Sequence, residues 1–378
     1  IGSIDAPALI SLRLALFQLR HLSRTPAHAV LNDAVAITRR ARATRAAGFV
    51  NGVLRGVLRN GVDAGLPPRP SGEDRGEWTA YLSTTMSHPR WLVERWIDRH
   101  GLEAADRWTA FNNQPAPMTL RVNTTRMTSD EARTRLAAEG IETVPGTHAP
   151  DSLIVTSGNP IGSVTHDAGL VALMDEASQL VGVLAGSVLG GRVLDACAAP
   201  GGKTLVLACE MPRDGLLIAA DRRGRRVGLL RQSLERFGLG RVPAVQHDLG
   251  AGAPFTGLDG VLVDAPCSGL GTIRRDPDIR WRRAEADLAL LADTQRALLA
   301  GAAGAVRPGG RVVYSTCSSE PEENEAVVDA FLADHSAFAR VPASDRFTTL
   351  LDERDDLRTL PHRDALEAFY ACVLERKR

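Results

Sequence analysis

Residues 260–281 read GVLVDAPCSGLGTIRRDPDIRW. An apolar run, Val261-Leu262-Val263, ends on a carboxylate, Asp264. Pro266 stops the run, and Cys267 sits in the turn behind it. This order predicts a buried parallel strand whose C-terminal end opens into a loop. In an open α/β sheet that end is where ligands bind. Val312-Val313-Tyr314-Ser315-Thr316-Cys317-Ser318 has the same form and delivers a second cysteine, Cys317. A third run, Arg192-Val193-Leu194-Asp195, leads into Ala196-Cys197-Ala198-Ala199-Pro200-Gly201-Gly202-Lys203-Thr204, a Gly-rich turn. Further strands are expected at 216–221, 242–248 and 369–375, with helices at 225–237, 284–306 and 322–332. Strands alternating with helices predict an α/β fold built on a doubly wound parallel sheet.

Working outward, residues 1–60 carry apolar residues at helical spacing in three runs, broken at Thr25-Pro26 and closed by Asn60-Gly61, which predicts a small all-helical bundle. Residues 66–78, with Pro67, Pro68, Pro70, Ser71 and Gly72, read as a linker. Beyond it, His88-Pro89-Arg90 opens a helix. Thr119-Leu120-Arg121-Val122-Asn123 and Ser152-Leu153-Ile154-Val155-Thr156 alternate like strands. Thr128-Ser129-Asp130-Glu131 caps a helix between them. This is a small α+β module. The expected domains are 1–75, 76–165 and 166–378.

No apolar run reaches membrane-spanning length and no signal peptide opens the chain. Five cysteines in 378 residues argue against a disulfide framework and for a reducing cytoplasm. Zero net charge does not by itself advertise nucleic acid. Arg39, Arg40, Arg42 and Arg45 read first as a solvated face, with RNA phosphate contact the sharper alternative. Arg274, Arg275, Arg280, Trp281, Arg282 and Arg283 read as an RNA backbone groove with a stacking platform; the alternative is a salt-bridged loop, given the interleaved Asp276 and Asp278. Metal binding has no support: there is no Cys-x-x-Cys and no His cluster.

Three cofactors compete for the Gly turn. Gly202-Lys203-Thr204 fits the end of a P-loop, but its first Gly falls on Cys197. The dinucleotide pattern Gly-x-Gly-x-x-Gly is absent. S-adenosylmethionine has no phosphates. It needs a close backbone, a carboxylate for the ribose and an acceptor near the adenine amine. Asp221 and Asp248, ending successive strands, suit the last two. Each acid alone could merely cap a helix; three acids, with Asp264, beside one Gly turn favour the cofactor. Of the 45 basic residues only Lys203 and Lys377 are lysines, and Lys203 falls in this turn.

AspAlaCysAlaAlaProGlyGlyLysThr, AspAlaProCysSerGlyLeuGlyThr and SerThrCysSer-x-x-ProGluGluAsn together resemble the RsmB/NOP class of RNA cytosine-5 methyltransferases. Pro26-Ala27-His28-Ala29-Val30-Leu31-Asn32 and Phe49-Val50-Asn51-Gly52-Val53-Leu54-Arg55 resemble the NusB-like helical domain of the small-subunit rRNA branch, whose first helices are then expected upstream of Ile1. Residues 84–165, with Asn112-Asn113-Gln114, resemble the family's RRM-like RNA-binding module. Met174 stands where a Gln often precedes Asp-Glu-Ala-Ser, and Ala368-Phe369-Tyr370 replaces Gly-Phe-Phe.

The resemblance implies a Rossmann-like methyltransferase domain preceded by those two modules. It implies S-adenosylmethionine bound by Cys197, Ala198, Ala199, Pro200, Gly201, Gly202, Lys203, Asp221, Asp248 and Asp264. The resemblance implies a cytosine in RNA as substrate, 16S rRNA foremost, and the protein is expected to be a cytoplasmic monomer without metal. Carbon 5 of cytosine is too weak a nucleophile to take a methyl group unaided. A thiolate adding to carbon 6 makes carbon 5 enamine-like, and a base later removes its proton so that the thiol leaves. The family's pattern makes Cys317 the nucleophile and Cys267 the residue that aids release; the residues alone do not order the two. An isolated cysteine is more often a packing residue, the reading kept for Cys209 and Cys372. A tRNA cytosine is the alternative substrate. A non-catalytic RNA-binding or ribosome assembly factor is the alternative class.

Overall fold

The computed structural model describes residues 4–212, 214–253 and 255–378. Two compact units divide at Thr85 and Met86. In the first, helices α1 (Ala6–His21), α2 (Ala27–Arg40) and α3 (Ala47–Asn60) form the expected bundle. Ala8, Leu12 and Ala15 of α1 face Val30, Leu31 and Ala34 of α2 and Val50 and Leu54 of α3, the spacing of one helical stripe. Gly61 ends α3 at φ +94°, a conformation that costs glycine little. A short helix, α4 (Arg75–Ala80), starts inside the expected linker. Asp74 caps it by accepting the Glu77 amide at 2.8 Å.

The second unit opens with a helical hairpin, α5 (Arg90–His100) and α6 (Leu102–Asn112). It is held by stacked Trp96 and Trp108, with ring centroids 4.7 Å apart. Next come β1 (Thr119–Val122), α7 (Ser129–Ala138), β2 (Glu142–Pro145), β3 (Ser152–Ser157), α8 (Val164–Asp167) and β4 (Val171–Leu173). Their antiparallel sheet has the order β2-β3-β1-β4, the ferredoxin-like arrangement. Thr128 and Glu131 make the expected capping box of α7. The sequence reading starts the catalytic domain at residue 166, but β4 pairs with β1, Leu120 opposite Leu173. A three-residue strand is too short to show alternation.

The remaining chain runs α9 (Glu176–Val188), β5 (Arg192–Asp195), α10 (Gly202–Glu210), β6 (Leu216–Asp221), α11 (Gly224–Arg236), β7 (Ala244–Gln246) and β8 (Leu258–Asp264). It continues through α12 (Ile279–Arg282), α13 (Asp287–Ala305), β9 (Val306–Thr316), α14 (Glu325–Asp334), β10 (Phe338–Val341), β11 (Leu357–Thr359), α15 (Pro361–Asp364) and β12 (Phe369–Arg376). The sheet order is β10-β12-β9-β8-β5-β6-β7, with β11 on β12. From β7 to β9 it is parallel. β12 is antiparallel to β9, and β10 and β11 are antiparallel to β12. The sheet is therefore mixed rather than wholly parallel. The α15 turn joining β11 to β12 is too short for a crossover, so that pair must be antiparallel.

Helices cover both faces of the central strands. Leu262 packs with Leu180, Leu184 and Val206 on one side, and Val261 and Val263 pack with Leu299, Ala302 and Val327 on the other. Burial on both faces is why these strands read as unbroken apolar runs. Strand order reverses between β5 and β8, so the crevice at their C-terminal ends is the switch point where ligands bind in such sheets.

Candidate active site

A cavity of about 700 Å³ opens at that switch point, with Cys197, Asp221, Asp248, Asp264, Cys267 and Cys317 in its wall. The C-terminal ends of β5, β6, β7, β8 and β9, with the segments that follow them, thus converge on one space.

At one end, Asp221 closes β6. Its carboxylate accepts the Arg223 amide at 3.0 Å and pairs with Arg226 at 3.3 Å. Arg226 also donates to the Ala199 carbonyl, tying the turn to this acid. Asp248 accepts the Gly250 amide at 3.1 Å. Gly201 begins α10 at φ +110°, where an L side chain is strained. Ala199 also lines the cavity, whereas the Ala198 amide is spent on the Ala220 carbonyl at 2.8 Å. Ala198, Pro200, Gly201 and Gly202 shape the turn and do not appear in the cavity wall. Behind it Asp195 is fully buried and accepts from Thr204 at 2.7 Å. Burial, and then the neighbouring Asp264 charge, outweigh that hydrogen bond and the Lys203 charge and push the Asp195 carboxyl up to about 7. Burial, then Asp264, Asp195 and Asp221, push the Cys197 thiol well above the usual range. A protonated, largely buried thiol suits packing and backbone support, not nucleophilic attack.

At the other end the sulfurs of Cys267 and Cys317 lie 3.3 Å apart, both as free thiols. Lys203 does not line the cavity. Its ammonium reaches Asp264 at 2.8 Å and Ser178 at 2.9 Å and lies 5.5 Å from the Phe369 ring centroid. Ser315 donates to the other oxygen of Asp264 at 2.9 Å. Burial pulls the Lys203 pKa down, but the charge and hydrogen bond of Asp264, with Asp175 and Cys317, more than offset it, so the net shift is upward. Lys203 is therefore a fixed cation. The hydrogen bond that Cys267 donates to Cys317 and burial, then the charges of Cys317 and Glu323, push the Cys267 thiol well above its ordinary value.

The arginine-rich stretch after Cys267 differs from its reading as an RNA groove. Arg280 is 5% exposed. It donates to the Ser87 carbonyl and to Asn113 Oδ1, both at 3.0 Å. It packs on His88, which burial and then the Arg280 charge hold neutral, down to about 3. Arg274 binds the Pro115 carbonyl at 2.7 Å, Arg275 binds Glu367 at 2.7 Å, and Arg283 binds the Ser268 carbonyl at 2.9 Å. These guanidiniums lock the Cys267 loop to its neighbours. Trp281 and Arg282 remain exposed.

Ser178, Ser315, Phe369 and Glu323 escaped the sequence reading as site residues. All stand in motifs that it quoted, but nothing in spacing says which side chain turns inward.

Models of known families match in three parts. "16S rRNA methyltransferase RsmB/F" matches 187–375, "Methyltr_RsmF/B-like, ferredoxin-like domain" matches 88–162, and "NusB family" matches 1–59. A probable ribosomal RNA small subunit methyltransferase B of Bacillus subtilis (strain 168) is 36% identical over 376 residues, covering 97% of this chain and 82% of that protein. The chain belongs to the RsmB/F family of 16S rRNA methyltransferases. Another relative, ribosomal RNA small subunit methyltransferase B of Vibrio cholerae serotype O1, is 33% identical over 96% of this chain and 80% of its own length. The crystal structure of PH0851 superposes with a TM-score of 0.80 at 28% identity, covering 99% of this chain and 83% of that one.

The family is of the S-adenosylmethionine-dependent type, and the cavity fits that cofactor. Two carboxylates in its wall, Asp221 at the end of β6 and Asp248 just past β7, have the acceptor chemistry that hydroxyl and amino groups need. Lys203 turns away from the glycines to Asp264 and Ser178, which a phosphate-cradling lysine would not do. Among the described residues there is no cluster of three or more His, Cys, Asp or Glu that would hold a metal ion, and no helix long and apolar enough to cross a membrane.

Proposed function

We propose that this RsmB/F methyltransferase methylates carbon 5 of a cytosine in small-subunit rRNA through a covalent bond between Cys317 and the base. The observation that carries this reading is the pair of thiols 3.3 Å apart in the same cavity as Asp221 and Asp248. Asp221 and Asp248 receive the ribose and adenine of S-adenosylmethionine, with the turn from Cys197 to Gly202 as backbone support. When bound, that cofactor supplies an electrophilic methyl group.

The electrostatics favour one order of roles. The hydrogen bond to Cys317 and burial hold Cys267 as a thiol, which leaves Cys317 as the nucleophile. The Cys317 thiolate adds to carbon 6 of the cytosine, and the ring electrons pass to carbon 5. Cys267, held as a thiol, stands beside the new bond. After carbon 5 has taken the methyl group, its former carrier leaving as a neutral thioether, and has lost its proton to a base, the bond from Cys317 to carbon 6 breaks and the aromatic ring returns. Cys267 assists that release. Asp264, bound by Lys203 and Ser315, is an acceptor for the exocyclic amine of the base. A cytosine in folded RNA must leave its stack to enter such a cavity.

The test is methyl transfer from labelled cofactor to unmodified small-subunit rRNA. Wild type labels cytosine and Cys317→Ala labels nothing. Transfer to tRNA but not rRNA would overturn the substrate, and transfer by Cys317→Ala would overturn the nucleophile.

A further inference from the structure

Pro321-Glu322-Glu323-Asn324 supplies no group to the chemistry above, yet it joins the two cysteine loops. Glu323 is fully buried. One carboxylate oxygen accepts the Ser268 amide at 2.7 Å and the Gln295 side-chain amide at 3.0 Å. The other accepts the hydroxyls of Ser268 and Ser318, each at 2.5 Å. Ser268 follows Cys267, and Ser318 follows Cys317. The two serine oxygens are themselves 3.2 Å apart.

The grip extends to the other side of each cysteine. The Gln295 amide also donates to the Pro266 carbonyl at 3.1 Å. Thr316 donates to Asn324 at 2.5 Å, and the Asn324 amide donates to the Ser318 carbonyl at 3.0 Å. Tyr314 fixes the turn itself, donating to the Glu323 carbonyl at 2.5 Å. A carboxylate taken out of water is costly unless its lone pairs are filled. Here they are filled by donors from both cysteine loops, so opening either loop would strand the charge.

We infer that Glu323 is a positioning residue: by bonding Ser268 and Ser318 to one carboxylate it holds Cys267 and Cys317 at the separation the reaction needs. This rests on the two-cysteine reading of the site. The carboxylate also faces the Cys267 thiol and adds to the charges that keep it protonated, in keeping with a releasing role for that residue.

Two substitutions separate holding from charge. Glu323→Gln removes the charge but keeps the bonds: the amide oxygen accepts from Ser268 N–H and Gln295, and the amide nitrogen donates to both hydroxyls. Glu323→Asp keeps the charge but is one carbon shorter, by roughly 1.5 Å, and cannot span the same partners. Holding predicts that Gln retains most of the methyl transfer and that Asp loses about a hundredfold, the scale of a misplacement of about 1 Å. A purely electrostatic role predicts the reverse order and would overturn the inference.

A direct readout of spacing accompanies the kinetics. Phenylarsine oxide condenses with two neighbouring thiols, forming two As–S bonds and releasing one water. Wild type and Glu323→Gln should capture it through both cysteines, and Glu323→Asp at least about tenfold more weakly. Equal capture by all three would overturn the inference. If Glu323→Asp does not fold, Ser318→Ala, which removes one of the ties, should shift arsenical capture in the same direction. Cys317→Ala in the same assay keeps the failures apart. Methyl transfer without Cys317 sinks the two-cysteine reading, whereas a dead Cys317→Ala beside a fully active Glu323→Asp sinks only the holding role.

Discussion

The two ends of the cavity are built from interactions of different range. At the cofactor end the short contacts of each acid are local: Asp221 is held by the Arg223 amide and by Arg226, and Asp248 by the Gly250 amide, with Arg222 reaching it from just past β6 only at 3.9 Å. At the cysteine end the contacts that bring the loops together bridge distant sequence. Cys267 meets Cys317, Ser268 meets Glu323, Ser315 meets Asp264, and Lys203 meets both Asp264 and Ser178. A local site can be written as a motif and survives small shifts of the sheet. A site assembled from the ends of β8 and β9 and the starts of α9 and α10 requires the whole sheet to be in register, and its chemistry is correspondingly easier to break from afar.

Asp195, behind the Gly turn, gives the largest expected effect on stability. Burial raises its folded pKa to about 7 from the ordinary 3.8. The folded chain therefore holds a proton that the unfolded chain has lost between those values, so this carboxyl lowers stability as pH rises through the window. The cost is absent below about pH 4 and fully present above about pH 7. Asp195→Asn removes it, so the gap between variant and wild type should widen by up to roughly 1.4 kcal/mol per pH unit. Urea melts at pH 4.5, 6 and 7.5 read the gap, and parallel curves would contradict the account.

Lys203→Met tests the cysteine end. It removes the cation beside Asp264 and Cys317, a preorganised charge of the kind that contributes about 10²–10³ in rate. Methyl transfer should fall by that order while the variant keeps its cofactor affinity. Loss of cofactor affinity alone would move Lys203 to the other end of the cavity. Asp221→Ala is the converse probe and the smallest effect. It should weaken S-adenosylmethionine binding by about tenfold, near 1.4 kcal/mol, and leave arsenical capture by the two thiols unchanged. Calorimetry reads the first and a thiol assay the second.

The same contrast of range explains what the sequence could reveal. The apolar strand runs, the Gly turn, the capping box at Thr128 and the helical stripe of α1 are local patterns, and each marks its element. β4 and the antiparallel placing of β12 are decided by pairing across the chain, which periodicity does not encode. The arginines after Cys267 misled for a related reason. A run of guanidiniums with one aromatic has the composition of a nucleic-acid groove, and only Asp276 and Asp278 pointed to a bonded loop, but Arg280 lies buried against His88 and Asn113. Burial depends on α5 and α6, which sit far away in sequence. The ProGluGluAsn turn was visible as a motif, and its grip on Ser268 was not.

The central claim is that Cys317 bonds to the base and Cys267 releases it. Incubating Cys267→Ala with unmodified small-subunit rRNA and S-adenosylmethionine, digesting with nuclease and protease, and weighing the cysteine peptides tests it most directly. The account predicts a peptide containing Cys317 that carries a methylated cytidine nucleotide, and no such adduct on any other cysteine. Full turnover by Cys267→Ala with no trapped peptide, or an adduct on Cys197, would contradict it.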